Sequence, residues 1–240
     1  VELDPGCTYL LLNRRQGLAK DEQWARYFAA KLNSFRILNQ IPEPTILQLG
    51  LLHAHGLKPG WHHSVPFQAV QVPTKSAKVS IAYQAQHPLF PIVIKAIEDL
   101  LAHDGIRLDK RPYTQEPTDC GEIDIWLKPM GISNYRDDAL QGWLLSYSGV
   151  EMTAPDQQFQ MWQSMIQDWR AQDESAFPAK ILARDLVTQL QLIPLFHCWL
   201  GVNQDHCGAL QNAQCNALGW FDFSQVWVRP EMLNNEASQD

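Results

Sequence analysis

Residues 78–114 decide the fold, because they predict a strand, a helix and a second strand in direct succession. The segments KVSIAYQ (78–84) and IRLDKRPYT (106–114) carry apolar or aromatic side chains at alternate positions, Val79, Ile81 and Tyr83 in the first and Ile106 and Leu108 in the second, which is typical of strands with one covered face. Between them, HPLFPIVIKAIEDLLAHDG (87–105) has apolar residues at spacings of three and four. This spacing predicts an amphipathic helix.

Pro88 and Gly105 mark the limits of this helix. Pro88 suits the first helical turn, where its missing N–H would have had no intrahelical partner. Gly105 follows the last apolar turn, where a helix often ends in a left-handed residue. A helical crossover of this length joins two parallel strands with a right-handed connection. We therefore predict an α/β domain.

Further strands and helices are predicted on both sides of this unit. Residues 8–13 predict a buried strand, and the helix that follows starts near Asp21 and places Trp24, Phe28 and Leu32 on one face. Other elements predicted from the same patterns are a short helix within 45–56 in the Pro-, Gly- and His-rich segment 42–73, a strand at 122–128, a helix opened by Thr153 and Pro155 with Phe159, Trp162, Ile166 and Trp169 on its inner face, a helix from Pro178 with Ile181 or Leu182, Leu186 and Leu190 inside, a strand at 192–202 and a last strand at 220–228.

The composition argues against several classes of protein. The chain has 240 residues, 45% apolar residues and a formal charge of −7, without the clustered basic surface that binding to nucleic acid requires. No apolar run reaches the ~18 residues of a membrane helix. No signal peptide is evident and the first residue is not Met, so we expect a fragment of a longer protein. Five cysteines favour a reducing compartment. Cys207 and Cys215 form either a small disulfide loop or a free pair.

Metal and catalytic motifs are weak. The candidate metal ligands are His53, His55, His62 and His63, together with the pairs His197-Cys198 and His206-Cys207 followed by Cys215, and neither set has a known zinc spacing. No nucleophile elbow, H-E-x-x-H motif or phosphate-cradling glycine loop is present. The carboxylates at Asp137-Asp138 and at Asp119, Glu122 and Asp124 fit solvated turns. We expect no metal, no cofactor and no enzymatic activity.

Aromatic content is high, with nine Trp and six Tyr. Trp162 and Trp169 fit the inner stripe of a helix and so the core. Four other rings are open to two interpretations, because Trp and Tyr either fill a core or line a cleft with a broad apolar face and a polar tip. These four are Trp126, Tyr135, Trp143 and Tyr147.

The order of the elements resembles the second lobe of the peptide- and nickel-type periplasmic solute-binding proteins. The Gly105-Ile106 junction followed by the Asp124 strand is similar to a signature of that family. Within it, GWFDF at 219–223 followed by Trp227 resembles the C-terminal domain of SgrR-type transcriptional regulators. The resemblance implies a type II periplasmic-binding-protein-like α/β lobe with a mixed, mostly parallel sheet flanked by helices. It further implies a lobe at 1–192, and at 193–240 a hinge strand and a segment that returns towards a first lobe.

The resemblance also implies a function. In such a cytoplasmic regulator, an N-terminal DNA-binding domain and a first lobe belong to the same parent chain, and two lobes close around a small solute. This chain itself would contact neither nucleic acid nor membrane. Peptide-binding members place an acidic residue after the strand at 122–128, whereas this sequence has WLKPMGISNYRDD (126–138), which fits an uncharged or anionic solute such as a sugar phosphate. The candidate ligand-binding residues are Trp126, Lys128, Asn134, Tyr135 and Arg136.

Two other functions stay open. The chain fits a substrate-binding protein of an ABC-type peptide or solute importer. A disulfide between Cys207 and Cys215 is more to be expected in such a protein than in a regulator that works in a reducing compartment. It also fits, less well, a metal-dependent enzyme that uses its histidines. Finally, in an isolated chain the last strand would lack the first lobe, against which it would otherwise pack. Its edge would then be exposed, and we expect two chains to pair there as a homodimer.

Overall fold

The computed structural model describes residues 2–3, 6–53, 71–73, 77–116, 121–130, 149–171, 179–200, 210–211, 214–215, 221–222 and 227–228. The described strands are β1 (Glu2–Leu3), β2 (Thr8–Leu12), β3 (Leu51–His53), β4 (Lys78–Gln84), β5 (Arg107–Tyr113), β6 (Ile125–Pro129), β7 (Leu192–Leu200), β8 (Leu210–Gln211), β9 (Gln214–Cys215), β10 (Phe221–Asp222) and β11 (Trp227–Val228). The described α-helices are α1 (Glu22–Lys31), α2 (Ser34–Gln40), α3 (Glu43–Leu49), α4 (Phe90–Ala102), α5 (Val150–Thr153), α6 (Asp156–Arg170) and α7 (Ala179–Thr188).

The unit formed by β4, α4 and β5 confirms the strand–helix–strand prediction. The two strands are parallel and in register along their whole length, from Lys78 opposite Arg107 to Gln84 opposite Tyr113. Gly105 has a φ of +73° and so ends the connection in the left-handed conformation, as predicted. The predicted start is wrong by two residues: α4 begins at Phe90 with Pro91 in its first turn, because residues 88 and 89 form a turn before it.

The sheet is mixed. Its strand order is β1–β7–β2–β6–β4–β5, and β3 also pairs with β7. The α/β class with a mixed sheet and flanking helices is therefore confirmed. The expectation of mostly parallel pairing is wrong for the described strands, because β4 is parallel to β5 and to β6 while β1, β2, β3, β6 and β7 pair antiparallel with one another. The antiparallel pairs join strands that lie far apart in sequence, so they are not linked by one crossover helix as β4 and β5 are.

Helices cover both faces of this sheet, and strand β2 shows the two-sided burial most clearly. Leu10 and Leu12 belong to the core on the face of α1, α2 and α4. Tyr9 and Leu11 belong to the core on the face of α5, α6 and α7. A central strand buried on both faces is apolar at every position rather than at every second one, which explains the run TYLLL.

The inner faces of the helices agree with the predictions except at Leu190, which follows α7 and is buried in the first core. Trp24, Phe28 and Leu32 of the first helical segment are buried in the first core, and the side chain of Asp21 caps α1 by accepting from the Gln23 amide, 2.7 Å away. The second core contains Phe159, Trp162 and Ile166 from α6 and Leu182 and Leu186 from α7, while Trp169 packs at its margin. Ile181 is exposed, so Leu182 is the inner residue of the two alternatives.

Several short elements were not predicted or were predicted differently. Helix α2 was missed, although Asn33 caps it by accepting from the Arg36 amide at 3.0 Å. The apolar stretch after Pro42 forms α3 and then β3, with Gly50 left-handed between them. Within the predicted strand at 220–228, the described residues form β10, which pairs with β9, and β11, which pairs with β8, and the positions between them lie outside the described residues.

No helix in the described part of the chain is long and apolar enough to span a membrane. The predicted boundary between 192 and 193 stays a prediction, and β7, which begins at Leu192, lies inside the main sheet between β2 and β3.

A polar contact joins α1 to the end of α4, and it predicts a pH dependence of stability. The Asp104 carboxylate accepts from the Tyr27 hydroxyl at 2.7 Å and pairs with the Lys31 ammonium at 2.8 Å. Burial alone would raise the pKa of Asp104, but the hydrogen bonds from Lys31 and Tyr27 outweigh it and hold that pKa below its ordinary value.

We therefore expect Asp104 to stabilise the fold at neutral pH and to lose this contribution as the pH falls below about 4, where the carboxylate begins to take up its proton. The check is urea unfolding of wild type and Asp104→Asn at pH 7 and at pH 3. The stability difference between the two proteins should be clear at pH 7 and smaller at pH 3. An equal difference at both pH values would contradict the assignment.

Candidate functional site

Strand β6 places two of the five predicted ligand-binding residues. Trp126 and Lys128 are two positions apart and so lie on one face of the sheet, and both are buried. Trp126 belongs to the core under α5, α6 and α7. The other three predicted residues, Asn134, Tyr135 and Arg136, lie outside the described residues. The ligand-binding role of all five stays a prediction.

Lys128 is held in a closely packed setting. Its ammonium pairs with the Glu116 carboxylate and lies 5.6 Å from the centre of the Trp126 ring, within the range of a cation–π contact. The Lys128 side chain is 6% exposed, whereas that of Glu116 is 41% exposed. The carboxylate therefore lies between the buried cation and solvent, and it supplies the counter-charge that a buried ammonium requires.

Tyr113 completes the aromatic part of this site. Its ring packs edge-on against Trp126, with the two ring centres 5.8 Å apart. Burial, together with the nearby Glu116 carboxylate, raises the pKa of the Tyr113 hydroxyl, so that the group stays protonated and able to donate at neutral pH. The Trp126 indole N–H is buried and has no hydrogen-bond acceptor among the described residues.

Topology explains why these residues meet. Strands β5 and β6 are both parallel to β4, so their carboxyl ends reach one edge of the sheet, where Gln84 is opposite Tyr113. Lys128 lies near the end of β6, and Glu116 follows β5 by three residues. Ligands of open α/β sheets commonly bind at the carboxyl ends of parallel strands. We name the group Tyr113, Glu116, Trp126, Lys128 and Gly149 the strand-end site.

Three members of the strand-end site were not predicted. Tyr113 and Glu116 carried a usable signal, because both follow or end a strand that was predicted to be parallel to another, and polar residues at such ends converge. Gly149 carried none, since its position near Lys128 depends on the chain returning to the sheet just before α5. It has a φ of +74°, and a Cβ built on it would lie 3.0 Å from the Lys128 ammonium and 3.3 Å from Leu11.

We therefore expect Gly149→Ala to be more harmful than Gly105→Ala. Both glycines are left-handed, so alanine costs about 1 kcal/mol at either from backbone strain. At Gly105 nothing lies within 4 Å of the added Cβ, whereas at Gly149 it presses on Lys128 and Leu11 and raises the cost to about 2–3 kcal/mol. Chemical unfolding of both variants is the check, and equal losses of stability would contradict the crowding at Gly149.

Of the histidine and cysteine candidates, His53, His197 and Cys198 are described, and they lie on the paired strands β3 and β7. His197 is buried with Nδ1 2.7 Å from the Gly6 carbonyl oxygen, and His53 Nδ1 lies 3.1 Å from the Ser34 hydroxyl. His55, His62, His63, His206 and Cys207 lie outside the described residues, as does the side chain of Cys215. Within the described residues, no group of three or more His, Cys, Asp or Glu side chains is placed to hold a metal ion.

Among the acidic candidates, Asp124 forms hydrogen bonds that connect separate segments of the fold. Its carboxylate accepts from the Leu18 amide at 2.8 Å and from the Ser80 amide and hydroxyl at 2.8 and 2.7 Å. The interpretation of this residue as a solvated turn carboxylate is therefore wrong, because it joins β4 and β6 to the segment after β2. Asp119, Asp137 and Asp138 lie outside the described residues.

The search of family models found no match to this chain. Among curated proteins, it is 25% identical to the HTH-type transcriptional regulator SgrR of Yersinia enterocolitica over 230 residues, which are 95% of this chain and 40% of that protein. SgrR of Pectobacterium atrosepticum gives the same identity and the same coverage. The chain thus spans 40% of the length of the curated relatives it matches, and the predicted resemblance to SgrR-type regulators is confirmed.

Solved structures give the fold. NikA from Brucella suis, solved in complex with Fe(III)-EDTA, matches with a TM-score of 0.68 at 11% identity, covering 95% of this chain and 52% of that one. The murein tripeptide binding protein MppA of Escherichia coli matches with a TM-score of 0.63 at 11% identity, covering 95% and 49%. The fold is that of peptide- and nickel-type periplasmic binding proteins, and this chain covers about half of each.

Proposed function

We propose that this chain is the ligand-sensing, solute-binding-like part of a transcriptional regulator. The observation that carries the proposal is the similarity to SgrR regulators along 95% of the chain. The strand-end site supports it, because a buried cation, a carboxylate and two aromatic rings at the carboxyl ends of parallel strands suit recognition of a small polar solute.

The solute that we propose is small and anionic, with a sugar phosphate as the leading class. Lys128 would present a charge-assisted donor to an acidic group, and the buried Trp126 ring would support that ammonium through their cation–π contact. Asn134, Tyr135 and Arg136 would add further contacts, since the segment that contains them follows β6 directly. The solute would bind between this lobe, at 1–192, and a first lobe in the parent chain, with residues 193–240 returning towards that lobe.

Regulation would follow from closure of the two lobes. A solute shifts an open–closed equilibrium only as far as its affinities for the two states differ, so tighter binding to the closed state would bias the attached DNA-binding domain. The DNA-binding domain would supply the contact with nucleic acid, since the net charge of this chain is −7. We further propose that the protein acts in the cytoplasm, is not an enzyme, and forms homodimers when isolated.

The second candidate function is solute delivery to an ABC-type importer, which the fold of NikA and MppA favours. The two functions differ in redox environment and in DNA binding. Thiol titration of protein taken from its native compartment would find Cys207 and Cys215 reduced in a regulator, whereas a disulfide between them would favour an importer component.

Calorimetry on the full-length protein that contains this chain tests the solute class. The titrants are glucose 6-phosphate, glucose and a set of tri- to pentapeptides, and a DNA mobility-shift assay runs with and without each one. We expect binding of the sugar phosphate and a change in DNA affinity when it is present. Tight binding of peptides without binding of the sugar phosphate would contradict the proposal.

A further inference from the structure

We propose that Glu116 is an internal counter-ion that an anionic solute must displace in order to reach Lys128, and that this exchange makes the strand-end site selective for anions. The inference rests on the proposed function, since it concerns how that solute is recognised. It starts from one contact: the Glu116 carboxylate pairs with the Lys128 ammonium on the solvent side of a buried position.

Access to Lys128 is the first step of the argument. Its side chain is 6% exposed, since Glu116 lies on one side and the Trp126 ring and Gly149 on others. The sheet and its core fix Trp126, whereas Glu116 lies after the end of β5 and is 41% exposed. Of the described groups around the ammonium, Glu116 is therefore the one whose side chain has room to turn into water.

Charge is the second step. The pair is neutral as a unit, so an approaching anion gains little attraction while the Glu116 carboxylate stays in place. Once the carboxylate turns outwards, a phosphate or carboxylate of the solute can take its position without leaving the ammonium unpaired, which would be costly. A neutral solute cannot make this exchange, because it would separate the pair without replacing the negative charge.

A further donor in the strand-end site favours a group with several acceptor oxygens. The Tyr113 hydroxyl is protonated and lies near Glu116, since burial and that carboxylate raise its pKa. The Glu116 carboxylate offers two oxygens to the cluster, whereas a phosphate group offers more, each a strong acceptor. A phosphate is therefore a better occupant than the carboxylate that it replaces.

The test is calorimetry on the full-length protein with glucose 6-phosphate and inorganic phosphate as anionic probes and glucose as the neutral probe. Glu116→Gln keeps the shape of the side chain and removes its charge, so we expect it to bind the anionic probes about tenfold more tightly than wild type. Glu98→Gln is the matched control, because Glu98 pairs with Lys110 at 3.0 Å with a similar exposure, and it should bind as wild type does.

Lys128→Met removes the cation and keeps an unbranched apolar stem, and it should abolish binding of the anionic probes whether or not Glu116 is also replaced. Thermal unfolding of each variant identifies any that fail to fold. A salt series on wild type needs no mutation: its affinity for the anionic probes should fall as the salt concentration rises. Unchanged anion affinity in Glu116→Gln, or wild-type affinity in Lys128→Met, would overturn the inference.

Two further outcomes separate this inference from the proposed function. Binding of peptides or of glucose without binding of either anionic probe would overturn the role of Glu116 and leave a solute-binding domain. No binding of any probe by wild type or by Glu116→Gln would overturn both.

Discussion

Trp126→Ala is expected to lower the free energy of unfolding by about 3–5 kcal/mol, the range for truncation of a large buried aromatic side chain. Trp126 is 1% exposed and lies between Leu11 on one neighbouring strand and Ala82 on the other. Its ring also packs against Tyr113. Removal of the ring would leave a cavity under α5 and α6 that the two neighbouring strands cannot close.

Two control variants separate packing from other effects of the change at Trp126. Trp126→Phe keeps an aromatic ring and removes the indole N–H that has no acceptor among the described residues, so its cost should be below about 1.5 kcal/mol. Met161→Ala alters an exposed apolar residue on α6 and should change stability by less than about 0.5 kcal/mol. Urea unfolding followed by circular dichroism measures all three.

Urea unfolding, together with calorimetry of solute binding, decides whether Trp126 belongs to the core or to the cleft. A side chain that belongs to the core must lower stability when it is truncated, with or without a solute. If Trp126→Ala has the wild-type urea midpoint but no longer binds the solute, the ring lines the cleft and does not stabilise the core. A loss of stability together with a loss of binding shows that one ring serves both.

Asp124→Ala is expected to cost about 3 kcal/mol, because it removes an acceptor that three donors share at a partly buried position, and of the three only the Ser80 hydroxyl keeps a second acceptor, the Glu122 carbonyl oxygen at 2.7 Å. The donors are the Leu18 amide and the Ser80 amide and hydroxyl, which lie on different segments of the chain. The carboxylate therefore holds β4 and the turn before α1 against the start of β6. Its loss should weaken the parallel pairing at that end of the sheet.

A graded series tests this assignment of Asp124. Ser80→Ala removes one donor and should cost about 1 kcal/mol. Asp124→Asn should lie between the two, since its amide nitrogen would face donors on one side. Asp109→Asn is the matched control: that carboxylate is 23% exposed and pairs with the exposed Lys78 and Arg111, so its replacement should cost less than about 1 kcal/mol. Equal stability of Asp124→Ala and Asp109→Asn would contradict the role of Asp124.

Local patterns predicted the elements of the fold well. The strands β4 and β5, the helical spacing in α4 and the left-handed Gly105 are all properties of a few neighbouring residues, and each was confirmed, although β4 is buried on both faces and not on one as predicted. Trp24, Phe28 and Leu32 share a face for the same reason. Such patterns reflect backbone conformation and the need of one face to leave water, and both are expressed within one or two turns of the chain.

What lies beyond the elements was only partly predicted. Lys128 was named from its sequence context, but its pairing with Glu116 was not, because the pair forms at the common end of β5 and β6. The contact of Gly149 with Lys128 requires the chain to return to the sheet after twenty intervening residues. Asp124 was taken for a surface carboxylate, since nothing near it in sequence indicates that Ser80 and Leu18 would meet it.

The sequence by itself determined the βαβ unit, the apolar faces of its helices, the family resemblance and the absence of recognised catalytic motifs. The tertiary structure alone decided the antiparallel strands that complete the sheet, the burial of Trp126 and the ion pair between Lys128 and Glu116. The physical reason is range: φ and ψ preferences and side-chain periodicity act between neighbours along the chain. Strand order, burial and ion pairing instead depend on which distant segments meet once the entropy of closing the loops between them has been overcome.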